Sequence, residues 1–301
     1  MPEIVEEIRQ LKQQRNAIIL SHVYQPPEIQ EIADLVGDSL ELARLAAATD
    51  ADVIVFCGVH FMAESAAVLA PEKIVLLPEA QAGCPMADMV TAEALRAKKD
   101  ELSGAQVVCY VNTSANVKAE CDIACTSANA VQVVNSLPAE RSIIFVPDRN
   151  LGHYVAKQSG RTMDMWEGCC PIHDQLTASD VLKAKSEHPQ ALVLAHPECR
   201  PEVVELADHV ASTTGILRFA KESRNDEFII ATEKGILYQL NKQCPGKSFY
   251  LASDKLVCRD MKLITLEKVL HSLQTLEPRV TVTAEVRERA LQCLEKMLAV
   301  Q

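Results

Sequence analysis

Met165-Trp166-Glu167-Gly168-Cys169-Cys170-Pro171-Ile172-His173 holds the only tryptophan of a 301-residue chain, two adjacent cysteines and a histidine three residues beyond them. Thiolate sulfur and imidazole nitrogen in so short a stretch suit a metal or redox centre. One loop cannot close such a centre, so partners must come from elsewhere. Cys84, in Ala82-Gly83-Cys84-Pro85-Met86, lies 86 residues before Cys170, and Cys258, in Val257-Cys258-Arg259-Asp260-Met261, lies 88 residues after it. A near-constant long interval points to a chain built three times from one design.

The intervening sequence repeats in the same order. Ala17-Ile18-Ile19-Leu20 reads as a short buried strand ending in Ser21-His22-Val23-Tyr24. A polar turn over 33–39 follows, then a helix over 40–49 and apolar runs at 53–56 and 74–77. The second copy has Gln106-Val107-Val108-Cys109 ending in Tyr110-Val111-Asn112, a turn through Asp122 and Ser127, and a run at 143–146. The third has Leu192-Val193-Leu194-Ala195 ending in His196-Pro197-Glu198-Cys199, a turn through Asp208 and Thr213, and a run at 228–231. Continuous apolar runs of four alternating with helical patterns indicate βαβ units with parallel sheets. Ser39, Ser127 and Thr213 each stand five residues after the turn aspartate and 43 to 45 residues before the late cysteine. A period near 87 residues exceeds that of solenoid repeats.

The fold expected is therefore α/β, with three pseudo-symmetric three-layer α/β/α domains and short parallel sheets around a central site. Their bounds are 1–84, 85–170 and 171–262, with helices over 263–301 packing back on the first. Function in such sheets sits beyond the carboxyl ends of the strands, where helix N-termini also point. Three domains facing one axis would gather the strand-end residues, the three hydroxyls and one cysteine from each copy. Three thiolates match a [4Fe–4S] cluster with one iron left without a protein ligand. Glu198 and His196, two apart at a strand end, form a candidate base with its orienting neighbour.

Composition narrows the function. The net charge of −11, from 30 basic and 41 acidic residues, argues against nucleic acid and anionic membranes as partners. No stretch approaches the length of a membrane helix, and the acidic N-terminus lacks a signal-peptide pattern. Eleven scattered cysteines, an odd number, fit a reducing cytoplasm, with some as ligands and the rest as small buried residues. Cys57, Cys109, Cys121, Cys125, Cys199, Cys244 and Cys293 are read as structural. The Cys121-x-x-x-Cys125 pair alone does not make a zinc site, because no second close pair follows.

Trp166-Glu167-Gly168-Cys169-Cys170-Pro171-Ile172-His173 resembles the W-x-G-x-C-x-x-H motif of quinolinate synthases. His22-Val23-Tyr24, Tyr110-Val111-Asn112, His196-Pro197-Glu198-Cys199 and Cys258-Arg259-Asp260-Met261-Lys262 match the same family, so the resemblance runs from about residue 18 to 270. It implies condensation of iminoaspartate with dihydroxyacetone phosphate, losing phosphate and two waters, to quinolinate for NAD biosynthesis. It implies a [4Fe–4S] cluster on Cys84, Cys170 and Cys258, with Cys169 as the rival for the middle position. It places substrate contacts at His22, Tyr24, Asp38, Ser39, Tyr110, Asn112, Ser127, His173, His196, Glu198 and Thr213, with Thr126 adjacent to the less certain Ser127. Tyr24, Tyr110, His22 and His196 join Glu198 as catalytic candidates, and His173 either binds substrate or hydrogen-bonds a cluster sulfur. An L-aspartate oxidase supplying iminoaspartate is the implied protein partner. Unlike some members of the family, the chain lacks a C-terminal Cys-x-x-Cys pair.

Overall fold

The computed structural model describes residues 2–300. Among them are twelve strands in three four-stranded sheets, every strand pair parallel. The first unit has β1 (Ala17–His22), β2 (Leu35–Gly37), β3 (Val53–Cys57) and β4 (Ile74–Leu76), in the order β2-β1-β3-β4. The second has β5 (Gln106–Tyr110), β6 (Ile123–Cys125), β7 (Ile143–Val146) and β8 (Asp164–Met165), ordered β6-β5-β7-β8. The third has β9 (Leu192–Ala195), β10 (His209–Val210), β11 (Glu227–Ala231) and β12 (Ser248–Leu251), ordered β10-β9-β11-β12. The fold is thus α/β with one sheet topology used three times, helices covering both faces of each sheet. The central strands are buried along nearly their whole length, which is why their sequences show no polar alternation.

Where the sequence suggests a polar turn over 33–39, the chain forms an edge strand, β2, and the same holds for β6 and β10. These strands have two or three residues, too few for periodicity to register. The repeated aspartate sets their pairing. Asp34 Oδ2 accepts the Ile19 backbone N–H at 2.8 Å, and the Asp34 N–H donates to the Ile19 carbonyl at 2.9 Å. Asp122 clasps Val107 in the same two-way fashion at 2.7 and 3.0 Å, and Asp208 clasps Val193 at 2.8 and 2.9 Å. Each clasp satisfies an N–H at the start of a central strand, and each aspartate stands fifteen residues beyond its partner. The element read from the sequence as a spacing marker is a register lock.

The C-terminal helices divide between two units. Leu266–Thr275 lies on the N-terminal helix Pro2–Gln14 and on β3, in the first unit. The last helix, Ala284–Ala299, departs from the expected position. It packs on β6 and the short helix Ala115–Lys118 of the second unit as well as on His60–Leu69 of the first. Its buried face of Ala290, Cys293, Leu294 and Met297 covers apolar surface that the second unit's own helices leave open. Asn129 Nδ2 donates to the Met297 carbonyl at 3.2 Å, and Arg289 pairs with Glu120 at 3.0 Å, fixing that position. Among the described residues, no helix is long and apolar enough to cross a membrane.

The clasps give a test. Asp122→Ala and Asp208→Ala each strand a backbone N–H and should lower the unfolding free energy by about 1–3 kcal/mol in urea titrations. Asp→Asn at the same sites keeps an accepting oxygen and should recover most of that loss. Equal damage from Asn and Ala would show that the carboxylate charge, not the clasp, matters.

Candidate active site

The carboxyl ends of all three sheets open into one cavity of about 120 Å³. His22, Tyr24, Asp38, Ser39, Tyr110, Asn112, Ser127, His173, His196, Glu198 and Thr213 all line it, as do Cys84, Cys170 and Cys258. Two of the three hydroxyls arrive there at helix starts and the third on a turn. Asp38 caps the helix Ser39–Ala48, accepting from Leu40 and Glu41 N–H, so Ser39 is the first helical residue. Ser212 likewise caps Thr213–Glu222, whose first residue Thr213 lines the cavity. In the second unit Thr126 Oγ1 accepts the Ala128 N–H, holding the turn that presents Ser127. Asp38 itself is spoken for: beyond capping, its Oδ2 accepts from Ser212 Oγ at 3.1 Å, tying the first unit to the third.

The three cysteines share a local design. The backbone N–H three residues on faces each sulfur: Ala87 toward Cys84, His173 toward Cys170 and Met261 toward Cys258. The Cys169 N–H goes to Met89 Sδ at 3.3 Å. Burial pushes the Cys84 thiol up to about 12 and that of Cys258 up to about 11, and raises Cys170 well above the ordinary range. Soft sulfurs from three units, each with an N–H aimed at it, fit a cluster needing three thiolate ligands, because positive iron would supply the charge that burial denies them. Trp166 is a clasp rather than a site residue; its Nε1–H donates to the Met89 carbonyl at 2.8 Å, joining the Cys170 loop to the stretch after Cys84. Gly168 is required by space, since a Cβ there would lie 2.4 Å from the Pro147 carbonyl oxygen.

Glu198 sits at the centre, 4% exposed. Its Oε2 lies 2.7 Å from His173 Nδ1 and 3.6 Å from His196 Nδ1, and Tyr110 hydrogen-bonds it from the second unit. Burial acts to raise its carboxyl, but the neighbouring His196 and His173, with hydrogen bonds from His173 and Tyr110, outweigh burial and hold it below the usual range. Burial drops His22 and His196 to about 3, so both are neutral near pH 7. Their tautomers follow from the backbone. The Tyr24 N–H donates to His22 Nδ1 at 3.1 Å and the Glu198 N–H to His196 Nδ1 at 3.3 Å, which leaves the proton on Nε2 in both. His196 Nε2 then donates to Ser127 Oγ at 3.2 Å. Asn112 keeps a buried amide oxygen without a partner, an acceptor available to a ligand.

Sequence reasoning missed four contributors. Thr232 Oγ1 lies 2.6 Å from Tyr24 Oη and 2.8 Å from His173 Nε2, while Thr213 Oγ1 donates to Tyr24 Oη at 3.2 Å. Glu233, fully buried, accepts from the Cys258 N–H at 3.1 Å and pairs with Lys262 at 3.0 Å, and Lys262 also donates to the Tyr24 carbonyl. Asp148 caps the helix Arg149–Ser159 beside the Cys170 loop. Asp148 and Glu233 each stand two residues past a buried central strand, a position that would have marked both. Gly235 allows the third unit to meet the first, since a Cβ there would come within 2.8 Å of the Tyr24 backbone.

Comparison with known proteins identifies the family. The family described as Quinolinate synthetase A protein matches residues 6–299. The chain is 60% identical over 297 residues to the quinolinate synthase of Desulforudis audaxviator, covering 99% of this chain and 98% of that protein. It is 59% identical over 294 residues to that of Methanoregula boonei, covering 98% and 97%, and 56% identical over 299 residues to that of Methanosarcina barkeri, covering 99% and 98%. The chain belongs to the quinolinate synthase family, whose name implies small-molecule chemistry in NAD biosynthesis.

Proposed function

We propose that this chain condenses iminoaspartate with dihydroxyacetone phosphate, losing phosphate and two waters, to give quinolinate, with a [4Fe–4S] cluster held by Cys84, Cys170 and Cys258. The observation that carries the reading is the convergence on one cavity of three thiols, one per unit, around the buried Glu198 carboxylate. When bound, such a cluster supplies an iron with an open position that can act as a Lewis acid. The protein supplies everything else. Ser39 and Thr213 at helix starts, with Ser127, offer hydroxyl donors to carboxylate or phosphate oxygens. His22 and His196, neutral and protonated at Nε2, are donors that do not titrate near pH 7. Asn112 adds an amide with unused capacity, and Tyr24 and Tyr110 close the walls.

Glu198 is the general base of this scheme. His173 and Tyr110 keep it ionised and aimed, so it enters the reaction ready to take a carbon-bound proton. Entry of a dianionic substrate adds like charge beside it, which raises its proton affinity when removal of that proton is needed. The buried lining around His22, His196 and Glu198 limits bulk water near an imine that water would hydrolyse. The same lability makes an L-aspartate oxidase, as the source of iminoaspartate, the protein partner this reading expects. Eleven free cysteines suit the reducing cytoplasm.

A second reading rests on one observation: ligand atoms of Cys170, His173 and Glu198 lie within 4.8 Å of one another, a set that could hold a single metal ion. Metal analysis separates the two. Anaerobically prepared protein should carry about four irons and four labile sulfides per chain. Cys84→Ala, Cys170→Ala and Cys258→Ala should each lose them, whereas Cys169→Ala keeps most. Iron retained in Cys84→Ala and Cys258→Ala but lost in Cys170→Ala would favour the single-ion site.

The reaction is tested by anaerobic assay for quinolinate from the two substrates. Glu198→Gln keeps size and hydrogen bonding but cannot take a proton, so turnover should fall roughly 10²–10⁴-fold while iron content and substrate binding hold. Turnover within a few-fold of the parent would remove Glu198 as the base, and no quinolinate from the cluster-loaded parent would overturn the function itself.

A further inference from the structure

Outside the cavity, the molecule gathers sulfur a second time. Cys109, the penultimate residue of β5, and Cys293, on the last helix, are both fully buried with their sulfurs 3.6 Å apart. Cys121 lies beside the same pair, donates its thiol to the Val117 carbonyl at 3.0 Å and is partly exposed to solvent. Close by, the Lys118 ammonium is completely buried. Its Nζ donates to the Val111 and Thr113 carbonyls, and no carboxylate among the described residues pairs with it. A buried ammonium without a paired carboxylate favours negative charge nearby, and the groups whose charge reaches it are Cys109, Glu64, Cys293 and Cys121. The Cys109 thiol is pulled well below its ordinary value by hydrogen bonds from Cys121 and Cys293, against burial and with help from Lys118. None of these groups takes part in the proposed reaction.

We infer that Cys109 and Cys293 form a redox-convertible pair whose disulfide staples the last helix to β5. The oxidant is a small-molecule disulfide. Cys121 is partly exposed, although burial and the neighbouring Cys109 hold its thiol well above its ordinary value; it loses its proton to solvent and attacks one sulfur of RSSR, expelling RS⁻ and forming Cys121–S–SR. Cys109 thiolate attacks Cys121 Sγ, expelling the second RS⁻. Cys293 loses its proton and attacks Cys109 Sγ, releasing the Cys121 thiolate. Two protein thiols are oxidised, one disulfide bond is reduced to two RSH, and the protons balance. The bridge joins residues 184 apart and lies one residue from Tyr110. A bridge across so long a stretch removes freedom from the unfolded chain, so the oxidised form is the more heat-stable.

The test uses the cluster-loaded full chain, incubated anaerobically with oxidised glutathione, then alkylated and mapped without reduction. The expected result is a dominant peptide pair linking Cys109 to Cys293, reversed by dithiothreitol, with a thermal midpoint several degrees higher while linked. Cys293→Ser should abolish the link and the shift, and Cys125→Ser should keep both. The map of the parent protein decides the matter even if a variant fails to fold. Glutathione adducts or links at other cysteines only, with the protein still folded, would overturn the inference.

Discussion

A carboxylate shut away from water is stable only while hydrogen-bond donors converge on it, and Glu198 is such a group. Its donors come from different parts of the chain: His173 from just after the Cys170 loop and Tyr110 from the end of β5. His173 is in turn held by Thr232, which also holds Tyr24 of the first unit. Meeting the demand of this one charge therefore requires all three units to be docked. The fold and the site depend on each other through it: opening the units would leave Glu198 unpaired, and removing its partners would leave the units less reason to close.

The repeat explains both the sameness and the division of labour. Each unit ends its first strand with a pair of residues aimed at the cavity, at fixed distances before the clasping aspartate. In the first and third units the leading residue is a histidine that accepts the N–H two residues on, in His22 and His196 alike. In the second unit Tyr110 takes that place and reaches Glu198 instead. The following positions diverge further, as Tyr24, Asn112 and Glu198. One backbone design presents three sets of side chains, and only the third presents a carboxylate. The buried pair of Glu233 and Lys262 fixes the Cys258 loop to the Tyr24 carbonyl, coupling the sulfur ligands to the strand-end residues.

Much of this was legible in the sequence. Central strands buried on both faces write themselves as apolar runs, and the spacing of the late cysteines gave the period. The edge strands β2, β6 and β10 were not legible, because two or three residues carry no periodicity and the aspartates that pin them look like turn residues. Thr232 and Glu233 were missed because their partners, Tyr24 and Lys262, lie far away in sequence. The contact of the last helix with the second unit was not legible, because an amphipathic pattern shows that a face is buried, not what buries it. The choice between Cys169 and Cys170 rests on motif resemblance, because two adjacent cysteines of one loop differ by a single residue in spacing.

The central claim is that three units build one site. Calorimetric titration of the cluster-loaded protein with quinolinate measures this most directly, in the parent and in Ser39→Ala, Ser127→Ala and Thr213→Val. The account predicts one binding site per chain, weakened by each of the three substitutions although they lie in different repeats. Affinity unchanged in all three variants, or more than one independent site per chain, would contradict it.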